Sequence, residues 1–452
     1  MNVFSLGLFV ALFVVHEAHL VVPAVAQIDQ PLIPVPAAQY ITTAFDHYPL
    51  VALSEMHGNA ESRDFLARLI REPGFAGKVN DIVIEFGNAR YQDVVDRYIA
   101  GREVARDDLR GAWEDTTQVS DIWSLPMYEA MLADIRAVNF TLPRDRRFRV
   151  LLGDPPIDWR RVTSPADEDM NDWRDAHYAW VVENRVRAAG RRALLFIGGA
   201  HISRTVVFPN SLIHLLDARL PGQTHVVSVV DTGTVEPAVA DRLRPWRVPS
   251  AAAVLGTWLG RSDVKVIGWR FSRGLIEQDL DAILYLSPSP LAYEPAPALQ
   301  NASPRGAELK RRRALAAATV PFRGAQIRFT EAAAKLSASS EKPLMAVSTE
   351  LQRDRALRVV VKAFADAREP APLALSTARA EQVVEWLASR GIPRSRLRPL
   401  GCGAARPLWS DDAPEHRAAN RRAEIVRNTP TAGCEPPSSF APIPSPKAAG
   451  RR

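Results

Sequence analysis

Five ionisable residues stand where chemistry could be done. Glu55 and His57 fall in Ser54-Glu55-Met56-His57-Gly58, Glu85 closes the run Ile82-Val83-Ile84, Asp154 sits in Gly153-Asp154-Pro155, and His201 ends Gly198-Gly199-Ala200-His201. An imidazole held by a carboxylate can take a proton from water and later return it, which is general acid–base chemistry. Two imidazoles and a carboxylate can equally hold a divalent ion whose bound water becomes the nucleophile. Singly, each residue has a plainer reading: Asp154 suits a helix N-cap, a histidine at a turn serves structure, and Gly198-Gly199 makes a tight turn. What sets them apart is that each follows an apolar run with the composition of a buried strand.

Those runs are residues 50–53, 82–84, 148–152, 193–197 and 226–230, with 264–269 as a candidate sixth. Helical spacing of apolar residues appears at 61–70 and 91–99, between successive runs. Strands alternating with helices define an α/β domain with a parallel sheet, and continuous β-rich runs are what strands buried on both faces look like. Ligands bind such sheets beyond the carboxyl ends of the strands. One sheet edge therefore receives Glu55, His57, Glu85, Asp154 and His201, with residues 107–139 expected as helices capping one end.

The rhythm stops near Tyr285, so the first domain is read as 36–285 and the proline-rich stretch 286–318 as a linker. A second pattern follows over 319–428. Strands at 325–329, 357–364, 397–400 and 423–426, with helices at 342–352 and 376–389, predict a small α/β sandwich. Residues 429–452, polar and proline-rich, read as a disordered tail.

The length of 452 residues agrees with two domains, and 47% apolar against 24% charged residues excludes wholesale disorder and a polytopic membrane protein. The net charge of +6 is spread as arginines among acids, with one compact run at 310–313, so nucleic acid is not an expected partner. Residues 1–26, apolar and ending in Ala24-Val25-Ala26, read as a secretory signal peptide. The absence of Lys and Arg at its start and the interrupting His16-Glu17-Ala18-His19 leave a retained anchor as the alternative. No cysteine follows the apolar run, which excludes lipoprotein anchoring. In an oxidising compartment Cys402 and Cys434, the two cysteines of the chain, either pair and staple the tail or remain free.

The stretches 51–61, 82–85 and 195–201 resemble the erythromycin esterase and ChaN-like superfamily, itself related to Tiki and TraB-type metalloproteases. The likeness spans about residues 38–275. Ser54 replaces a usual glycine, and Glu55 and His57 are one residue closer than in the commoner pattern. The esterase branch implies a metal-free hydrolase acting on a small-molecule or peptide substrate. A neutral His57 would activate water, Glu55 or Glu85 would orient it, and His201 would serve the oxyanion or leaving group. The protease branch implies a divalent metal on His57, His201 and Glu85, with Glu55 as base. The metal-free version is favoured, because no local pair of histidines pre-organises a metal. The ChaN branch implies a haem or metal carrier without catalysis, with Tyr48 and Tyr91 as the tyrosines nearest the motifs.

Residues 359–366, 375–387, 391–403 and 420–425 resemble the OmpA C-terminal peptidoglycan-binding domain. The resemblance implies that Asp366 binds the ammonium and Arg379 the carboxylate of a wall diaminopimelate. A zwitterion needs one such anion and one such fork. Ser376 is expected as the N-cap of the helix carrying Arg379. Ala365 and Pro372 replace two polar residues of the family pattern, and the loop between them is about two residues shorter. Together the two resemblances imply a periplasmic, outer-membrane-associated protein anchored to peptidoglycan.

Overall fold

The computed structural model describes residues 30–163, 174–206, 211–269, 272–297, 300, 303–317, 327–405, 407, 414–428 and 432–434. The expected signal peptide and nearly all of the expected tail lie outside these residues. Among the described residues, no helix is long and apolar enough to cross a membrane.

The first domain is built on an eight-stranded sheet. Its strands are β1 (Val35–Pro36), β2 (Leu50–Glu55), β3 (Asp81–Asn88), β4 (Arg149–Asp154), β5 (Ala193–Gly198), β6 (Thr224–Val230), β7 (Ser250–Ala253) and β8 (Ala282–Tyr285). Their spatial order is β1-β7-β8-β6-β2-β5-β3-β4. From β4 to β8 every neighbouring pair is parallel, and β7 and β1 add an antiparallel edge. Both faces are covered. Val51 and Leu53 pack into one apolar layer while Leu50 and Ala52 pack into the other, as the alternation of side chains along a strand demands. That is why β2 reads as an unbroken apolar run.

Two expectations around the first domain are corrected here. The sixth parallel strand is β8, whereas Val264–Ile267 is a single 3₁₀ turn. The Asp263 side chain accepts the Lys265 N–H, and Gly268 closes the turn at φ 82°, a geometry that breaks an extended run despite its valines. The stretch read as a linker is largely built onto the first domain. Leu291 is buried in its core, and residues 292–294 pair with the loop after His57, through Ala60 N–H to Ala292 O and Glu294 N–H to Gly58 O. Pro304–Ala317 is a helix whose Arg311 donates to the carbonyls of Trp159 and Val162, and whose Arg312 pairs with Asp115. Proline content marked the irregular part of this stretch but not the helix, whose proline stands at its first position, where no N–H is needed.

The second domain has a four-stranded sheet of β9 (Ile327–Arg328), β10 (Val359–Ala363), β11 (Leu397–Gly401) and β12 (Arg422–Arg427), ordered β11-β10-β12-β9. The helices Glu341–Arg353 and Pro372–Ala388 bury Leu344, Val347, Leu351, Val383 and Leu387 in the same core as Val359, Val361 and Ile425. Ser376 is not an N-cap. The helix starts a turn earlier with Pro372 at its first position, and the Ser376 hydroxyl donates to Leu373 O and accepts the Gly403 N–H. Cys402 and Cys434 are joined, their Cα atoms 5.4 Å apart.

Candidate functional site

The sheet brings three of the named elements together because β5 lies between β2 and β3. Glu55 pairs with Gly198 across β2 and β5, so His57, two residues on, and His201, three residues on, leave from neighbouring ends. Ser54 has its own reason: its hydroxyl accepts the Val229 N–H at 2.7 Å, extending the junction of β2 with β6.

Each imidazole is pinned through Nδ1 by a carboxylate, His57 by Glu55 Oε2 and His201 by Asp175 Oδ1 at 2.8 Å. The other nitrogen of each ring faces one atom, Glu85 Oε1, which lies 3.6 Å from His57 Nε2 and 3.4 Å from His201 Nε2. Glu85 is fixed in turn by the Gly198 N–H at 2.6 Å and by Arg174 Nη2 at 2.8 Å. A side chain at position 198 would collide with this arrangement, because its Cβ would lie 2.7 Å from Glu85 Oε2 and 3.0 Å from His57 Cε1. Gly198 is thus required by close approach and not by a tight turn. The carboxylates of Glu55 and Glu85 are sealed, while the rings of His57 and His201 keep 27% and 17% of their surface open. Of these four side chains, only the two imidazoles are open to solvent.

Charge follows from this geometry. Burial opposes the imidazolium of His57, but Glu85 and Glu55 outweigh it and push the ring up to about 9. Burial likewise opposes His201, and Asp175 and Glu85 push it up to about 10. Burial raises Glu55, against the pull of His57. Glu85, despite burial, is held well below the usual carboxylate range by His57, His201 and Arg174. Surrounded by buried anions, the ring of His57 favours its protonated form at neutral pH, in contrast to the neutral base of the esterase-like expectation.

Several contributors were not legible in the sequence. Arg174 joins Glu85 to Asp154, and the adjacent Asp175 also accepts the Leu212 N–H at 2.7 Å. An Arg-Asp pair on a helix looks like a solvated face. Tyr128 accepts the Gly58 N–H at 3.2 Å and donates to Glu55 Oε1 at 3.4 Å, and Trp123 stands edge-on to His57 with ring centroids 4.8 Å apart. Both come from the helical region expected to cap the sheet. Asp154 caps no helix. It accepts the N–H and hydroxyl of Thr117, each at 2.7 Å, and Arg174 Nε at 3.2 Å, and burial pushes it up to about 6 against Arg174. It anchors Arg174 behind the imidazoles.

A metal fits this arrangement poorly. Among the described residues, Glu55, His57 and Glu85 offer ligand atoms within 4.8 Å of one another, a set that leaves out His201. Glu55 Oε2 and His57 Nδ1 are already bound to each other, and a divalent ion on Glu85 Oε1 would lie against the Arg174 guanidinium. The tyrosines considered for haem are engaged elsewhere, Tyr91 through its hydroxyl with Asp115 and Tyr48 by stacking on His225.

In the second domain, Asp366 and Arg379 meet through Glu369, a residue that no motif marks. Glu369 receives both terminal nitrogens of Arg379 at 2.6 Å and the Asp366 N–H at 3.1 Å. Asp366 pairs with Arg421 at 3.0 Å. Glu369 lies in the shortened loop, where an acid among alanines and prolines has no distinguishing pattern.

The chain is a mixed α/β protein whose second domain is OmpA-like: residues 328–421 match the OmpA family. It is similar to the peptidoglycan-binding protein ArfA of Mycobacterium tuberculosis H37Rv, 33% identical over 107 residues, which are 23% of this chain and 33% of ArfA. The peptidoglycan-associated lipoprotein of Brucella melitensis is 33% identical over 107 residues, covering 23% of this chain and 64% of that protein. This chain thus spans a third of ArfA and less than two thirds of the lipoprotein. Among solved structures, the peptidoglycan-associated lipoprotein from Burkholderia pseudomallei matches 23% of this chain and 89% of that chain, at 21% identity and a TM-score of 0.22.

Proposed function

We propose that this is a cell-envelope protein that holds peptidoglycan through its OmpA-like domain and hydrolyses an ester or related bond with its first domain. The wall-binding half is supported by the match of residues 328–421 to the OmpA family and by relatives that are named for peptidoglycan. The hydrolytic half rests on one observation: two partly open imidazoles, each pinned by its own carboxylate, present their free nitrogens to a single buried glutamate. Such pinning fixes ring orientation, and the raised pKa of His57 sets the pH above which the ring is free to take a proton from water.

In this reading the water oxygen adds to the carbonyl carbon as its proton passes to one ring. The other ring then donates its proton to the leaving oxygen as the carbon–oxygen bond breaks. His57 is the base, because its ring is the more open of the two to an entering water, with 27% of its side-chain surface exposed against 17% for His201. Arg174, Asp154, Tyr128 and Asp175 position the reacting groups. The test is a panel of p-nitrophenyl esters and lactones incubated with the purified chain. Turnover that climbs toward pH 9 and is lost in His57→Ala and His201→Ala is expected. Stoichiometric zinc, manganese or iron, lost together with activity in His201→Ala, would overturn the metal-free mechanism. Co-sedimentation with isolated sacculi tests the other half: wild type should pellet and Asp366→Ala/Arg379→Ala should not.

A further inference from the structure

The five N–H groups of Arg379 are all used within the chain. Nε donates to Ala333 O at 3.0 Å, Nη1 to Phe364 O at 3.2 Å and Glu369 Oε2 at 2.6 Å, and Nη2 to Thr330 O at 3.0 Å and Glu369 Oε1 at 2.6 Å. The Glu369 carboxylate has its own complete set of donors. Besides the fork, Oε1 accepts the Ala332 N–H at 2.8 Å and Oε2 the Asp366 N–H at 3.1 Å. A guanidinium fork and two backbone amides, closed around two oxygens, form a receptor for any carboxylate.

The backbone is bent to make it. Ala332, which supplies one amide, has φ 51°, and Ala371, two residues beyond Glu369, has φ 46°. These values lie in the left-handed region that alanine avoids, and such conformations persist only where the surroundings enforce them. The segment that delivers Glu369 is otherwise at the surface: Ala367, Arg368, Pro370 and Ala371 are exposed while the Glu369 side chain keeps 2% of its surface. A buried acid on an exposed loop can leave without disturbing the core.

We infer that Glu369 is an internal occupant of a carboxylate-binding site, and that a carboxylate of a zwitterionic wall peptide fills this site by displacing it. The inference rests on the wall-peptide reading of Asp366 and Arg379. The ligand carboxylate takes the fork and the two amides, and its ammonium replaces Arg421 on the Asp366 carboxylate, which Arg421 now holds at 3.0 Å. Binding is then an exchange of ion pairs, and Glu369 sets the affinity by competing for the fork.

The test uses the full chain, with free meso-diaminopimelate as the calorimetric probe and sacculi for co-sedimentation. Glu369→Ala removes the competitor. If the lost hydrogen bonds to a charged group are of ordinary strength, its affinity for diaminopimelate should rise about tenfold to a hundredfold over wild type. Its melting temperature should also climb more than that of wild type when the ligand is added. Should Glu369→Ala fail to fold, Glu369→Gln keeps the volume and one acceptor, and a smaller gain in affinity is expected. Wild-type binding that needs Asp366 but is unchanged or weakened in the Glu369 variants would overturn the internal-occupant inference and leave the wall site standing. Binding that is equally poor, or equally good, in wild type, Glu369→Ala and Arg379→Ala would overturn the wall-peptide reading itself.

Discussion

Replacing Glu85 with glutamine should move two imidazole titrations at once. In the wild type Glu85 Oε1 lies 3.6 Å from His57 Nε2 and 3.4 Å from His201 Nε2. At such separations, with an effective dielectric of about 20, unit charges attract by about 5 kcal/mol, equivalent to about three and a half pH units. The rings are partly open to solvent, which weakens the attraction, so a fall of at least about two units in each is the expectation. His57 should titrate near 7 or below in place of about 9, and His201 should drop from about 10. Glutamine retains an acceptor for the Gly198 N–H, and Asp154 still holds Arg174. The cost of breaking a buried ion pair, about 3–5 kcal/mol, would appear as a lower melting temperature with the fold preserved. The assay is an NMR pH titration of the histidine ring protons in both proteins. Ring pKa values that agree within about half a unit would refute a shared buried carboxylate as the source of the imidazolium charge.

Gly198→Ala should abolish turnover in a chain that still folds, because the new methyl meets Glu85 and His57 head-on; overpacking costs about 1–3 kcal/mol, readable by thermal denaturation. His177, buried against Trp180 and bonded to Gly153 O, is pushed down to about 4 by burial. The unfolded chain therefore binds a proton that the folded chain refuses between about 6.5 and 4, so stability is full above this window and falls as pH drops through it. The loss amounts to about 3 kcal/mol, and denaturant melts at pH 7 and pH 4 should show it shrinking in His177→Gln. Cys434→Ser should lower the stability of the second domain by about 3–4 kcal/mol, the loop-closure value for its separation of 32 residues, as measured by urea unfolding with and without reductant.

The candidate site was only half legible. Glu55, His57, Glu85 and His201 could be found because each follows a strand whose apolar run announces itself, and a parallel sheet sends all such ends to one edge. Arg174 and Asp175 could not, because they arrive from a helix whose inward face depends on docking and not on pattern. The same holds for Glu369, an acid in a loop, and for Pro304–Ala317, whose docking on the first domain relies on carbonyls of Trp159 and Val162 that no residue type advertises. Residues 264–269 misled because β-branched composition speaks for a strand, while a side-chain cap at Asp263 and a glycine in left-handed geometry decide for a turn.

The sequence by itself determined an α/β fold, a first sheet that is mostly parallel, and the placing of Glu55, His57, Glu85 and His201 at or just beyond strand ends. These follow from periodicity, which is a local property of the chain. Tertiary structure alone decided which carboxylate holds which ring, that the pKa values of His57 and His201 are raised, and that Glu369 occupies the Arg379 fork. Such outcomes depend on distances of 2.8 to 3.6 Å between groups far apart in the chain, and on the loss of solvent around them. Burial turns a modest attraction between charges into the term that sets their ionisation.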